Sequence, residues 1–256
     1  MKKIPLYRIV LLVLIMAFAT NSFSQQNKVL NLQSYDQQPY HFGFILAANE
    51  MSFSVKTVDN LQSIKWTTDQ SPDIFADSLY VYEVTSQGTP GFSIGILGNL
   101  RLNKSVDLRF VPTLSFGERL LNYNILAYEN GDSSFIDVEK SITSTMIEFP
   151  LFIKYRSKRH NNFAAYVTAG IKYTLDLASQ KKDDNNLNDI TVKINKHDIM
   201  GQIGVGFDFY TNYFKFGTEI SMGYGVNNMI KHEGNLYTDS IERLNSKIFL
   251  LSFTFE

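Results

Sequence analysis

The sequence predicts an all-β fold, an eight-stranded antiparallel transmembrane up-and-down β-barrel preceded by a cleaved signal peptide, and three observations carry that prediction. A short apolar run with a basic front stands at the N-terminus. Beyond it, apolar residues recur at every second position in successive runs. The connections between those runs alternate between long and short.

Lys2, Lys3 and Arg8 precede the apolar run Ile9 to Ala19, and the small polar cluster Thr20 to Ser24 follows it. That order is the basic, apolar and small-residue sequence of a secretory signal, with cleavage ahead of Gln25. The run is about half the roughly 20 residues that a membrane-crossing helix needs. Residues 1–24 therefore read as a leader, 25–39 as a periplasmic N-terminal segment and 40–256 as the barrel. The chain contains no cysteine, which removes both a disulfide framework and lipid attachment through a thiol. Its net charge of -1 and pI near 6.4 give no basic footprint for nucleic acid. Composition says more: 20 Phe and 14 Tyr stand beside only 6 Pro, yet the mean hydropathy is slightly negative. A chain that is apolar on alternate residues looks average in any window, which is how membrane-spanning strands escape hydropathy plots.

Tyr40 to Asn49 reads as the first strand. In the second, Phe92, Ile94, Ile96 and Leu100 face one way, while Ser93, Gly95, Asn99 and Arg101 face the other. The third sets Val106, Leu108, Phe110, Leu114 and Phe116 against Asp107, Arg109, Thr113, Ser115 and Gly117. In the fourth, Ile147 to Tyr155 alternate with Glu148, Lys154 and Arg156; in the fifth, Phe163 to Leu175 alternate with Thr168, Gly170, Lys172 and Thr174. The sixth places Ile199, Ile203, Val205, Phe207 and Phe209 opposite Gln202, Gly204, Gly206 and Asp208. Phe214 to Tyr224, against Lys215, Glu219, Ser221 and Gly223, form the seventh, and Phe249 to Phe255, against Ser252 and Thr254, the eighth. Runs of about ten residues match a tilted bilayer-spanning strand.

Connections after odd-numbered strands are long, about Ser54 to Thr89, Leu120 to Thr143, Leu177 to Lys196 and Asn227 to Arg243. Those after even-numbered strands are short: Asn103-Lys104, Lys158 to Asn161 and Thr211-Asn212. An outer-membrane barrel has this rhythm, with long extracellular loops and both termini in the periplasm. A soluble barrel or sandwich is the rival reading. It would need the polar face as its surface, rich in Lys and Glu. That face is instead dominated by Gly, Ser, Thr and Asn with a few charges of both signs, as suits a narrow filled interior.

Three stretches, Gln33 to Asn49, Phe92 to Tyr123 and Glu148 to Leu177, resemble the PorT family, and the resemblance extends over nearly the whole mature chain. It implies an outer-membrane component of the type IX secretion system, with an accessory or assembly role in export of proteases and adhesins and in gliding motility. Other components of that system, together with outer-membrane lipids, are the partners it implies. The alternative is a generic small outer-membrane barrel with a structural or adhesive role. One departure from barrels generally is the ending Phe255-Glu256, where a terminal aromatic residue is usual.

Motifs that carry chemistry fare poorly. Gly91 to Gly95 matches G-x-S-x-G, but the motif's serine needs a strand-to-helix turn, and the alternation runs straight through Ser93 to Leu102. Gly201, Gly204 and Gly206 fit neither phosphate-loop spacing and read as glycines facing a crowded interior. His41, His160, His197 and His232 lie in separate segments without metal-ligand spacing and read as solvated turn and rim residues. The acidic stretch Asp183, Asp184, Asn185, Asn186, Asn188 and Asp189 lacks the spaced ligands and glycine of a calcium loop. No catalytic residue, cofactor, metal or small-molecule substrate is expected. The lumen charges Arg109, Glu148, Lys154, Lys172, Asp208, Lys215 and Glu219 are expected to pair and fill the interior. Binding is expected at the first long loop, with Trp66, Phe75, Tyr80 and Tyr82, and at the segment Gln25 to Pro39; the loop's aromatics equally suit a cap over the barrel.

Overall fold

The computed structural model describes residues 29–178 and 192–256; the expected leader at 1–24 and the acidic stretch at 183–189 lie outside the described residues. Nine strand segments make one antiparallel sheet: β1 (Tyr40–Thr57), β2 (Ser78–Arg101), β3 (Val106–Phe110), β4 (Thr113–Glu129), β5 (Asp132–Arg156), β6 (Phe163–Asp176), β7 (His197–Tyr210), β8 (Lys215–Gly225) and β9 (Ile241–Phe255). The sheet closes on itself, because β1 pairs with β2 on one side and with β9 on the other. β3 and β4 are two halves of one span. Both lie between β2 and β5, and the ladder breaks between them at Val111-Pro112, where proline supplies no N–H. Eight spans therefore form the ring, as the alternation predicts.

Along every span the outward residues form an apolar belt. Its lower edge is a row of aromatics next to the short turns, including Tyr40, Phe110, Tyr155, Phe163, Phe209 and Phe255, all with outer faces exposed or half-exposed. Phe92, Phe116, Phe149, Tyr173, Tyr224 and Phe249 form the upper row. On β6, ten residues separate Phe163 from Tyr173; at about 3.3 Å each and a tilt of about 40° they rise about 25 Å, the height of an outer-membrane apolar band.

Above the upper row the pattern inverts. On β4 the inward stripe changes from Thr113, Ser115, Gly117 and Arg119 to Leu121, Tyr123, Ile125 and Ala127, all buried, while Asn122 and Asn124 turn outward. Phe53, Trp66, Val81, Ile142, Ile230, Leu236 and Leu244 join that stripe in one apolar core. Here the barrel wall faces water, so burial is inside and polarity outside, the reverse of the belt.

This inversion corrects two of the expected loops. Leu120 to Thr143 is a hairpin rather than a loop, with β4 and β5 paired through Glu129 and Asp132. Its turn, Asn130-Gly131, has positive φ of 50° and 91°, the Asn-Gly chemistry a two-residue hairpin turn requires. Likewise β1 runs to Thr57 and β2 begins at Ser78, so the first loop shrinks to 58–77, and Tyr80 and Tyr82 stand on a strand. A reading tuned to outward apolar faces assigns such segments to loops because their apolar face points inward.

The belt and the extension make opposite predictions for one charge. Ile203→Arg, outward at mid-belt, is expected to cost about 2–4 kcal/mol in a lipid bilayer. Thr85→Arg, outward on the extension, is expected to stay within about 0.5 kcal/mol. Equilibrium unfolding of both variants from vesicles checks this; equal costs would remove the boundary.

Candidate functional site

The interior is built from the short-turn end upward. Ahead of β1 the chain makes a 3-10 turn, Tyr35–Gln37, which lays two side chains across the mouth. The Tyr35 ring stacks on His41 with centroids 3.7 Å apart, and its hydroxyl donates to Glu256 Oε2 at 2.8 Å. Asp36 meets three guanidinium groups: Arg156 at 2.7 Å, Arg101 at 3.1 Å and Arg159 at 3.5 Å. Burial alone would raise the Asp36 carboxyl, but hydrogen bonds and charge from Arg156 and Arg101 outweigh it and hold the group below its ordinary value. Burial and the adjacent Glu256 push the Tyr35 hydroxyl well above the usual range, so it stays a donor.

Deeper in the lumen the expected charges do pair. Lys154 reaches both oxygens of Asp208, at 2.9 and 2.7 Å, and lies 3.6 Å from the Tyr166 ring centroid. Glu256 takes Lys215 at 2.7 Å and Arg109 at 3.1 Å, and Arg109 also approaches Glu219 at 3.6 Å. Lys172 holds Glu148 at 2.9 Å. Between Arg109, Glu148, Lys172 and Glu219 remains a cavity of about 40 Å³, room for a few waters.

An apolar layer of Ala47, Met51, Met146, Met200, Ile248 and Leu250 closes the space above it. Higher still, Arg119 lies 3.7 Å from Asp176 and covers the Phe53 ring. The apolar core of the extension then caps the whole, roofed by the 58–77 loop and by α1 (Leu236–Asp239). Asp73 pins this roof, accepting from Tyr237 at 2.6 Å, Ser71 at 2.8 Å and Lys140 at 3.0 Å. Burial opposes its ionisation, but those three donors prevail and lower its carboxyl. Among the described residues, the lumen is thus filled at every level.

The motif residues fall where extended chain puts them. Ser93 is buried in the lumen, its hydroxyl accepting from Asn49 at 2.7 Å and from Ser115 at 2.8 Å. Gly204 and Gly206 face inward, where a Cβ would strike Thr168 and Tyr166, as expected. Gly201 does not: it points outward into open space, one residue out of step with its neighbours' face. His160, His197 and His232 are exposed, but His41 is not a solvated rim residue, because Tyr35 covers it. Trp66 is buried as a cap, bridging backbone to Leu79, whereas Phe75 is 77% exposed. Sequence reasoning missed the Tyr35–Asp36 clamp and the Asp73 pin, whose partners lie far apart in the chain and share no periodic signal.

Residues 23–231 match the outer membrane protein beta-barrel domain family, and the chain belongs to that family, which makes it an integral protein of the outer membrane. The fold is similar to Neisserial surface protein A, at 9% identity, covering 85% of this chain and 99% of that one, with a TM-score of 0.40. It is also similar to the outer membrane protein OprG from Pseudomonas aeruginosa, at 11% identity, covering 86% and 97%, with a TM-score of 0.44. No curated protein matches the sequence.

Removing one member of a buried pair strands the other. Lys154→Ala is expected to cost about 3–5 kcal/mol by leaving Asp208 alone, while Lys154→Met with Asp208→Leu restores most of it; denaturant unfolding of the folded barrel separates the two. The Asp36 clamp is pH-dependent. Since its folded carboxyl titrates below the ordinary value of about 4, its contribution holds above that pH and fades as acid passes the folded value. An acid-active protease should cut the 29–38 segment faster as pH falls below about 4, whereas Asp36→Asn should be cut at one rate throughout.

Proposed function

We propose that this barrel is a non-conducting, non-catalytic element that works through its extramembrane surfaces, a structural or docking component of the outer membrane. The observation that carries the reading is the filled lumen, from the Tyr35–Asp36 clamp to the Asp73-pinned roof. Eight spans enclose room for side chains and little else, and here the charges at mid-lumen pair, Lys154 with Asp208, Lys172 with Glu148, and Arg109 and Lys215 with Glu256. Ser93 is held by Asn49 and Ser115 rather than by a histidine, which supports the non-catalytic part. In this reading the short turns and the N-terminal segment face the periplasm, and the 58–77 loop and the β4–β5 hairpin face outward. The family match agrees with this general role and names no further activity.

A more specific form rests on the resemblance of Gln33–Asn49, Phe92–Tyr123 and Glu148–Leu177 to the PorT family. In that form the chain is an accessory of type IX secretion, and the filled lumen makes it a scaffold for a translocating partner rather than the passage itself. Two measurements test these readings. Purified protein in planar bilayers is expected to show no unitary current steps; regular steps would end the non-conducting reading. Deletion of the gene is expected to block export of secreted proteases and to be rescued by a membrane-localised copy. Unimpaired export would leave the structural role and discard the secretion one.

A further inference from the structure

The short-turn end holds more cations than its ion pairs use. Arg101, Lys104, Arg156, Lys158 and Arg159 line one depression of about 600 Å³, in which Asp36 is the lone carboxylate among the described residues. The turn after β2 and the turn after β5 come together there because β3 alone separates their strands, and the Arg156 N–H donates to Ser105 O at 2.8 Å. Lys104 and Lys158 make no ion pair among the described residues. Arg101 is shared between Asp36 and Asp107, the latter at 3.7 Å. Asp36 thus occupies part of an anion cage and leaves charge over.

The surroundings say which anion fits. Leu102, on the wall of the depression, is 57% exposed, and Tyr40 and Tyr155, each chain neighbour to a wall residue, belong to the lower aromatic row. A positive depression continuous with the edge of a lipid belt suits an anion that carries its own hydrocarbon. We propose that this depression binds the phosphate of an anionic phospholipid from the adjacent leaflet, with Lys104 and Lys158 on the phosphate and the acyl chains against Leu102 and Tyr155, while Arg159 is held by Asn31, Asn161 and Asn162 and stacks on Tyr210. The assignment rests on the reading of the short-turn end as the periplasmic one, where the leaflet is phospholipid. Asp36 holds the guanidinium groups of the depression, which leaves the two lysines to the phosphate.

Native mass spectrometry of the folded full chain tests it, using micelles doped with equal phosphatidylglycerol and phosphatidylcholine. Wild type is expected to retain phosphatidylglycerol selectively. Lys104→Gln with Lys158→Gln, both exposed and outside the structural ion pairs, is expected to lower that retention on the order of tenfold. Equal retention of the two lipids, or selectivity untouched by the double variant, overturns the site. Inorganic phosphate alone, added to undoped micelles, separates the sources: phosphate adducts lost in the double variant, without lipid selectivity, overturn the lipid assignment. Heat-modified gel migration confirms that each variant is folded. A wild-type chain that never folds into micelles would count against the membrane-barrel reading rather than against the site.

Discussion

Inside a bilayer no water satisfies a backbone N–H or C=O, so a sheet that crosses it must close on itself. Every other feature of this chain follows from that closure. With β9 returned to β1, the ring is too narrow to leave a water-filled core, and its inner face must be packed with the side chains the strands happen to project. Ionised groups there lose their hydration and survive by pairing. That is why cations and anions arrive inside in matched groups, Lys154 with Asp208, Lys172 with Glu148, and Arg109 and Lys215 around Glu256. The outer face has the reverse requirement, and the aromatic rows mark where it begins and ends.

The chain answers to two solvents in succession. Within the belt, lipid rewards apolar residues outward; above it, water rewards them inward. β4 crosses from one regime to the other near Arg119, whose guanidinium covers Phe53 and neighbours Asp176 at the level where the stripe changes character. Outward Glu118 stands next to Arg119 on β4, and outward Glu50 and Lys247 lie near the same height on β1 and β9; Lys247 lays its ammonium over Phe249 at the belt's upper edge.

These two regimes explain what could be read in advance. The eight spans were legible because each carries a period-two stripe of one polarity, and the short turns because they interrupt it. The pairing of the lumen charges was legible from their mixed signs and the size of the ring. The extension was not, since Leu121, Tyr123 and Ile125 obey the same period with the opposite sense, although Asn130-Gly131 was a local hairpin signal in plain view. Gly201 was misassigned because glycine carries no polarity to place it on a face. The clamp at the mouth was out of reach: Asp36 meets Arg101, Arg156 and Arg159 only after the ring has brought their turns together.

The β4–β5 hairpin has one more implication, of reach. From Phe116 in the upper aromatic row to Glu129 at the turn are thirteen residues of paired strand, about 43 Å along the chain and, at the same tilt, on the order of 30 Å above the belt. The lipid headgroup layer is only about 5–8 Å deep on each side. The turn therefore stands well clear of the membrane surface on a stiff mast, and whatever touches it pulls on strands that continue without a hinge into the wall of the barrel.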